Sequence, residues 1–438
     1  MPGMKTLKTL IGELEDRLAV CMRCGMCQSV CPLFAETGRE SDVARGKMAL
    51  LDGLVDEMFK DPKGVYQRLN KCLLCGSCGA NCPGGVNALE IFLKARVILT
   101  GFMGLSPTKR VVFRGILSRP DFFDRLVALG AKFQDIFAQP ANAIVGTSCA
   151  RFVSPLIGHR HFKPLAPMPF HRMIPSLNSN PERSGIKAAL FVGCLFDKII
   201  PEVARDAVDV LHHHGVGVFL PEGQGCCGIP ALSAGDVMTF NRLVRHNLKL
   251  FEAKPFDFLI TPCATCAWTI KKIWPMMAGR NSAGLQREVD VIAAKTLDIH
   301  QFLVSKVGLK KTNIESSADA VDVTYHDPCH LKKSLGVSEE PRALITANPG
   351  YRLKEMPGPD RCCGLGGTFN LEHYGLSMNI GEKKRDSILS TGCRVVATGC
   401  PACMLQLSDI LSKTGDRITV KHPVEIYAEF LKKCGTSG

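Results

Sequence analysis

The sequence predicts a multidomain chain, an α-helical N-terminal domain followed by a duplicated α/β module, and three observations carry that reading. In the first hundred residues, apolar positions recur at helical spacing around two regular cysteine runs. From Ile186 onward, short apolar strands alternate with amphipathic helices, which is the texture of βαβ units. The second half of that stretch then repeats the first at an offset of about 135 residues. A chain of 438 residues also exceeds the usual size of one hydrophobic core.

The N-terminal domain, residues 1–100, has helical periodicity from Leu7 to Val20 and from Val43 to Phe59. Between and after these lie Cys21, Cys24, Cys27, Cys31-Pro32 and Cys72, Cys75, Cys78, Cys82-Pro83. Both are the bacterial ferredoxin run that holds a 4Fe-4S cluster. Gly25 and Gly76 permit the tight turn that lets three cysteines wrap one cluster face. The fourth cysteine of such a run completes the other cluster. Cys82 is therefore expected with Cys21, Cys24 and Cys27, and Cys31 with Cys72, Cys75 and Cys78. Zinc also uses C-x-x-C pairs but gains nothing from this crossed pattern.

Residues 101–185 read as a helical and proline-rich basic connecting region, with eleven Lys or Arg against four Asp or Glu. Helical periodicity continues from 88 to 140, broken at Ser106-Pro107 and Arg119-Pro120. Seven prolines between 139 and 181, Pro155 among them, then predict an irregular linker. The basic segment Lys109–Arg125 suits a protein partner, a membrane surface or a solvated helix face alike. The formal charge of +13 counts cysteines as neutral, whereas each 4Fe-4S core with four thiolates carries about −2. No nucleic-acid motif accompanies the basic excess, so nucleic acid is not an expected partner.

The first α/β half, residues 186–310, carries Cys194, Cys226-Cys227-Gly228, Cys263 and Cys266, and the second, 311–438, carries Cys329, Cys362-Cys363-Gly364, Cys400 and Cys403. Adjacent cysteines in a strand would face opposite ways, so each Cys-Cys-Gly triplet predicts a loop, its glycine allowing positive φ or close backbone approach. Five thiolates are expected to converge in each half. His326 and His330 flank Cys329, and with five cysteines already supplied they are expected to stand behind the ligands. Trp268 and Trp274 read as core. The run His212-His213-His214 reads as the solvent side of a helix, and Cys149, Cys393 and Cys434 as ordinary thiols.

These paired CCG halves resemble the heterodisulfide reductase catalytic subunit, the anaerobic glycerol-3-phosphate dehydrogenase cluster subunit and the glycolate oxidase iron-sulfur subunit. The order seen here, a fused ferredoxin pair followed by both halves, most resembles the glycolate oxidase and D-lactate dehydrogenase iron-sulfur subunits. The stretch HRHFKPLAPMPF is similar to that branch as well. The resemblance implies metal in both halves: one or two further iron-sulfur clusters, cubane or non-cubane, with zinc the alternative in one half. It also implies an oxidoreductase subunit that relays electrons from a partner's FAD toward a quinone or other membrane acceptor. No dinucleotide, flavin or Walker motif stands in this sequence, so neither FAD nor NAD is expected on this chain. Glycolate, D-lactate, L-lactate and glycerol 3-phosphate stay open as the partner's substrate. The competing implication is an enzyme that cleaves a disulfide at a CCG-bound cluster. Nothing resembles a signal peptide or a spanning helix, and twenty-one cysteines suit metal better than disulfides. Cytoplasmic residence is expected, with any membrane contact peripheral on the inner face.

Overall fold

A computed structural model describes residues 4–59, 61–151, 158–278, 283–309 and 316–435; Pro155 lies outside them. The chain divides into two compact units. One comprises Met1–Ser118, Gly228–Arg242 and Cys362–Gly381, the other Arg119–Cys227, Leu243–Arg361 and Glu382–Gly438.

The first unit is helical, as its periodicity predicts. Helices Met4–Gly12, Ala44–Val55, Lys63–Asn70 and Ala88–Met103 bury Leu7, Ile11, Leu51, Leu69, Leu93 and Leu99. The Asn87 side chain caps the last of these by accepting from the Glu90 amide. Helix Ala88–Met103 is also the post to which a distant stretch of chain is tied. Arg96, fully buried at its centre, donates to the carbonyls of Leu69 (2.7 Å), Cys72 (2.9 Å) and Ser233 (2.7 Å). One turn on, the Thr100 hydroxyl donates to the Ala234 carbonyl at 3.2 Å. Phe113 packs with Ala231 and Ala234, and Arg114 pairs with Asp236 at 3.3 Å. The segment that follows Cys362-Cys363 is held in the same unit. Gly366 fits so closely over Leu73 that an added Cβ would lie 2.9 Å from the Leu73 Cα, and Glu372 pairs with Lys109 at 2.8 Å.

The second unit carries the strands. β1 (Ala138–Asn142), β2 (Thr147–Ala150) and β3 (His161–Phe162) form a small antiparallel sheet in that order. The proline-rich stretch is thus not wholly irregular. Pro140 sits on the edge strand β1, opposite Ser148 and beside a register shift, a place where a sheet tolerates proline. The sheet is anchored by His161, whose amide donates to Asp409 at 2.9 Å, and by the Thr147 and Ser412 hydroxyls at 2.5 Å.

β4 (Leu177–Asn178), β5 (Lys187–Leu190), β6 (Gly217–Leu220), β7 (Phe258–Thr261) and β8 (Thr296–Asp298) form a five-stranded sheet in the order β4-β6-β5-β7-β8, parallel except at β4. β9 (Val321–Tyr325), β10 (Tyr351–Leu353), β11 (Val395–Ala397) and β12 (Thr419–Lys421) form a parallel sheet in the order β10-β9-β11-β12. With β4 set aside, the two orders are the same. The internal repeat is therefore a duplicated doubly wound sheet. In each copy the chain passes from the central strand first to one side and then to the other, which opens a crevice at the strands' carboxyl ends. Val323, Tyr325, Ile345, Val395, Ala397 and Ile426 form the core of the second copy.

Candidate metal centres

The two N-terminal cysteine loops share an unusual backbone. Gly25 and Gly76 have φ of 87° and 75°, and two residues earlier Arg23 and Leu74 also take positive φ, 54° and 52°. Left-handed backbone at a non-glycine residue costs on the order of 1–3 kcal/mol and persists where something else fixes the loop. Its recurrence at the same place in both C-x-x-C turns fits loops shaped around a cofactor. Cys21, Cys24, Cys27, Cys78 and Cys82 line one pocket, of ≈ 430 Å³ including its mouth. Cys24 is exposed there, and the neighbouring Met22 and Met26 are 70% and 53% exposed.

Cys31 stands within electrostatic reach of Cys72 and Cys75, and Cys78 within reach of Cys31. Burial pushes the Cys31 thiol up to about 11 and the Cys78 thiol well above its ordinary range. Thiols so placed give up their protons only to a cation that takes the protons' place. Lys47 lies behind this second group. It is 1% exposed, its ammonium bonds the Asp42 carbonyl, and it faces Cys72 and Cys31. Lys47 falls in the stretch Val43 to Phe59 that the sequence marks only as helical. Its i, i+4, i+7 alignment with Leu51 and Leu54 was the available signal that it points inward.

In the second unit, the cysteines of the first CCG half follow the carboxyl ends of their strands: Cys194 follows β5, Cys226-Cys227 follow β6, and Cys263 and Cys266 follow β7. The structure brings these five together. The Cys194 and Cys226 sulfurs lie 3.8 Å apart, and Cys227 and Cys263 are both in hydrogen-bond contact with Cys266. Gly193 leaves room for this, since a Cβ on it would lie 3.1 Å from the Cys266 sulfur. Hydrogen bonds with neighbouring thiols raise Cys226 and Cys266 well above the ordinary range, and burial does the same for Cys263. The Cys-Cys loop is fixed through its backbone: Trp274 Nε1 donates to the Cys227 carbonyl at 2.9 Å and Asn247 Nδ2 to the Cys226 carbonyl at 3.0 Å. Trp274 is core, as its spacing predicts, but its indole N–H also serves the site.

Of the second half's cysteines, Cys329, Cys400 and Cys403 belong to the second unit and are buried. Cys400 accepts from Cys263 and Cys403, which holds it well below the ordinary thiol range, and Thr265 Oγ1 lies 3.4 Å from its sulfur. The C-x-x-C loops of the two halves are thus neighbours, joined also by the Ala264 amide donating to the Gly399 carbonyl at 3.1 Å. Cys362 and Cys363 open their segment of the first unit, where the Gly364 amide donates to Cys362 Sγ at 3.4 Å. Gly228 and Gly364, at φ 93° and 99°, take the left-handed conformation that follows each Cys-Cys pair.

The flanking histidines differ. His330 stacks on Trp268 with centroids 3.9 Å apart and meets Thr265 Oγ1 at 3.3 Å, whereas His326 donates from Nδ1 to the Pro359 carbonyl at 3.1 Å. In the histidine run, His212 and His213 are exposed, but His214 is half-buried, stacked on Tyr427 and bonded to its hydroxyl at 3.0 Å. Cys149 lies in β2, Cys393 is buried and Cys434 is exposed. Among the described residues no helix is long and apolar enough to cross a membrane.

A 4Fe-4S dicluster domain model matches residues 17–86, and a cysteine-rich CCG domain model matches twice, at 188–271 and 323–408. The chain is 28% identical to a subunit of the fumarate reductase (CoM/CoB) of Methanothermobacter marburgensis, over 94% of this chain and 72% of that one. It is 27% identical to the probable glycolate oxidase iron-sulfur subunit of Bacillus subtilis, over 95% of each. It is 30% identical to lactate utilization protein A 2 of Bacillus cereus, over 57% of this chain and all of that protein. The chain belongs to the family of iron-sulfur electron-transfer subunits that join a 4Fe-4S dicluster domain to two cysteine-rich CCG domains.

Proposed function

We propose that the chain relays electrons from a flavoprotein 2-hydroxy-acid dehydrogenase, acting on glycolate or D-lactate, toward a quinone or other membrane acceptor. Cys21, Cys24, Cys27 and Cys82 hold one 4Fe-4S cluster, and Cys31, Cys72, Cys75 and Cys78 hold the other. Cys194, Cys226, Cys227, Cys263 and Cys266 hold a further metal centre, as do Cys329, Cys362, Cys363, Cys400 and Cys403. The clusters supply one-electron chemistry, which matches a flavin that releases two electrons in turn.

The observation that carries this reading is the composition of the first unit. The stretch after each Cys-Cys pair is built into the ferredoxin fold: Ser233 is bonded to Arg96, and Gly366 is packed on Leu73, the residue after Cys72. A free-standing carrier has no use for such segments, whereas a relay needs its centres fixed in series. The exposed Cys24, rimmed by Met22 and Met26, is the face suited to the partner. The identity of that partner is supported by the Bacillus subtilis relative's description as a glycolate oxidase iron-sulfur subunit.

The test is to purify the chain anaerobically with the flavoprotein it binds and follow cluster bleaching near 400 nm. Glycolate or D-lactate should reduce the clusters only when the flavoprotein is present. Reduction by neither substrate, with clusters that dithionite does reduce, would reject the proposed donor. A second reading, disulfide cleavage at a CCG centre, is favoured by the convergence of five buried cysteines in the first half. Disulfide turnover by the reduced chain alone would select it.

A further inference from the structure

We propose that His326 is a metal ligand of the second CCG half, giving that half a mixed nitrogen and sulfur donor set where the first half offers sulfur alone. The inference rests on the reading that the second half holds a thiophilic metal centre, of iron or zinc.

His326 follows the central strand β9 and is wholly buried. Its backbone amide donates to the Ala397 carbonyl at 2.9 Å, continuing the pairing of β9 with β11. The residue after it, Asp327, is clamped by Arg342 at 2.9 Å and Lys332 at 3.2 Å. The ring therefore has little freedom. Its tautomer is also determined. Nδ1 lies 3.1 Å from the Pro359 carbonyl, and a carbonyl only accepts, so Nδ1 carries the proton and Nε2 keeps its lone pair. A carbonyl that fixes one ring nitrogen so that the other can bind metal is the usual support of a metal-ligating histidine.

Nε2 has no hydrogen-bond partner and is shut off from solvent. An orphaned buried acceptor is costly to a fold, and something must offset that cost. A His326 ring nitrogen and the Cys403 sulfur lie within 4.8 Å of one another, and with Nδ1 committed to Pro359, Nε2 is the one available. Two atoms bound to one tetrahedral metal at ordinary Zn–N and Zn–S lengths stand about 3.6 Å apart. The imidazole of His326 and the Cys403 sulfur are therefore neighbours close enough to be considered for one metal.

His330 lacks that support: its Nδ1 meets the Thr265 hydroxyl, which can donate or accept and so does not fix the tautomer, and its ring is stacked on Trp268. In the first half, the stretch between β5 and Cys194 is Phe191-Val192-Gly193, with no histidine. The duplicated halves have thus diverged at a donor position. The second half also keeps all five of its cysteines, so His326 is an added donor; if it takes the place of one of those thiolates at the metal, the centre is less negative and its reduction potential higher.

The test uses the full chain purified anaerobically with ¹⁵N-histidine. Pulsed electron paramagnetic resonance on the reduced protein, with X-ray absorption at the iron and zinc edges, should show a directly bound nitrogen. That signal should vanish in His326→Gln and persist in His330→Gln, while His326→Cys should retain metal in an all-sulfur shell. Metal beyond the two ferredoxin clusters with only sulfur around it in the unsubstituted protein would overturn the assignment to His326 and leave the metal-bearing reading intact. Total metal of only about eight iron atoms, the content of two 4Fe-4S clusters, would overturn both. The isotope measurement on the unsubstituted chain decides the matter even if a variant fails to fold.

Discussion

Replacing Arg96 with methionine is expected to destabilise the first unit by about 3–5 kcal/mol, because it strands three buried carbonyls at about 1–3 kcal/mol each while the aliphatic stem is largely kept. Those carbonyls, of Leu69, Cys72 and Ser233, belong to the end of helix Lys63–Asn70, the second ferredoxin loop and the stretch after Cys226-Cys227. One guanidinium therefore ties the loop that carries Cys72 to the segment that leads out of the first CCG half. The measurement is amide hydrogen exchange across residues 229–236 together with the guanidinium midpoint followed at 400 nm. Exchange in that segment should accelerate at least a hundredfold. Lysine at position 96, which keeps a charge but can reach fewer carbonyls, should fall between. A methionine variant within 1 kcal/mol of the parent would show that Arg96 is not the tie.

Gly364→Ala is expected to empty the second CCG half of metal while leaving the ferredoxin clusters in place. At φ 99° an alanine is strained by about 1–3 kcal/mol, and its Cβ would collide with the Ser377 carbonyl oxygen. The Ser377 hydroxyl also donates to the Gly364 carbonyl at 2.8 Å, so the collision falls on a helix that holds the same loop. Cys362 and Cys363 would be re-aimed by the movement, and ligands must be held within about 0.5 Å to work together. Gly228→Ala should do the same for the first half, where a Cβ at φ 93° would lie 2.8 Å from the Phe240 ring. The check is iron per chain combined with low-temperature spin quantitation. Loss of the ferredoxin signals with CCG metal retained would contradict the assignment of these glycines to the Cys-Cys loops.

Much of this was legible because local chemistry and spacing agree. Cys-Cys-Gly cannot run on as a strand with both thiols on one site, so a loop was required, and both glycines prove left-handed. The strands Lys187–Leu190, Gly217–Leu220 and Phe258–Thr261 stood out as short apolar runs between helices, and their repeat in the second half foretold the matching strand order. The small sheet around Pro140 was not legible, because its strands are two to five residues long and owe their pairing to helix Pro401–Lys413. Nor was the sharing of Gly228–Arg242 and Cys362–Gly381 with the ferredoxin unit, since the partners of Gly366 and Ser233 lie far away in sequence. The left-handed Arg23 and Leu74 carry no sequence mark, because neither residue type favours that conformation and the fold imposes it. His326 could be placed beside the site by its distance from Cys329, but its free lone pair depends on the Pro359 carbonyl, which only the folded chain brings near.

The central claim, that the ferredoxin clusters and the CCG centres form one path within this chain, is tested most directly by timing. Photoreduced flavin mononucleotide would deliver less than one electron per chain, and the protein would be frozen at successive intervals for electron paramagnetic resonance. The ferredoxin signal should rise first and then fall as a CCG-centre signal grows at the same rate, and Gly364→Ala or Gly228→Ala should slow or abolish that second phase. Ferredoxin clusters that stay reduced while the CCG centres remain silent, even under excess reductant, would contradict the relay.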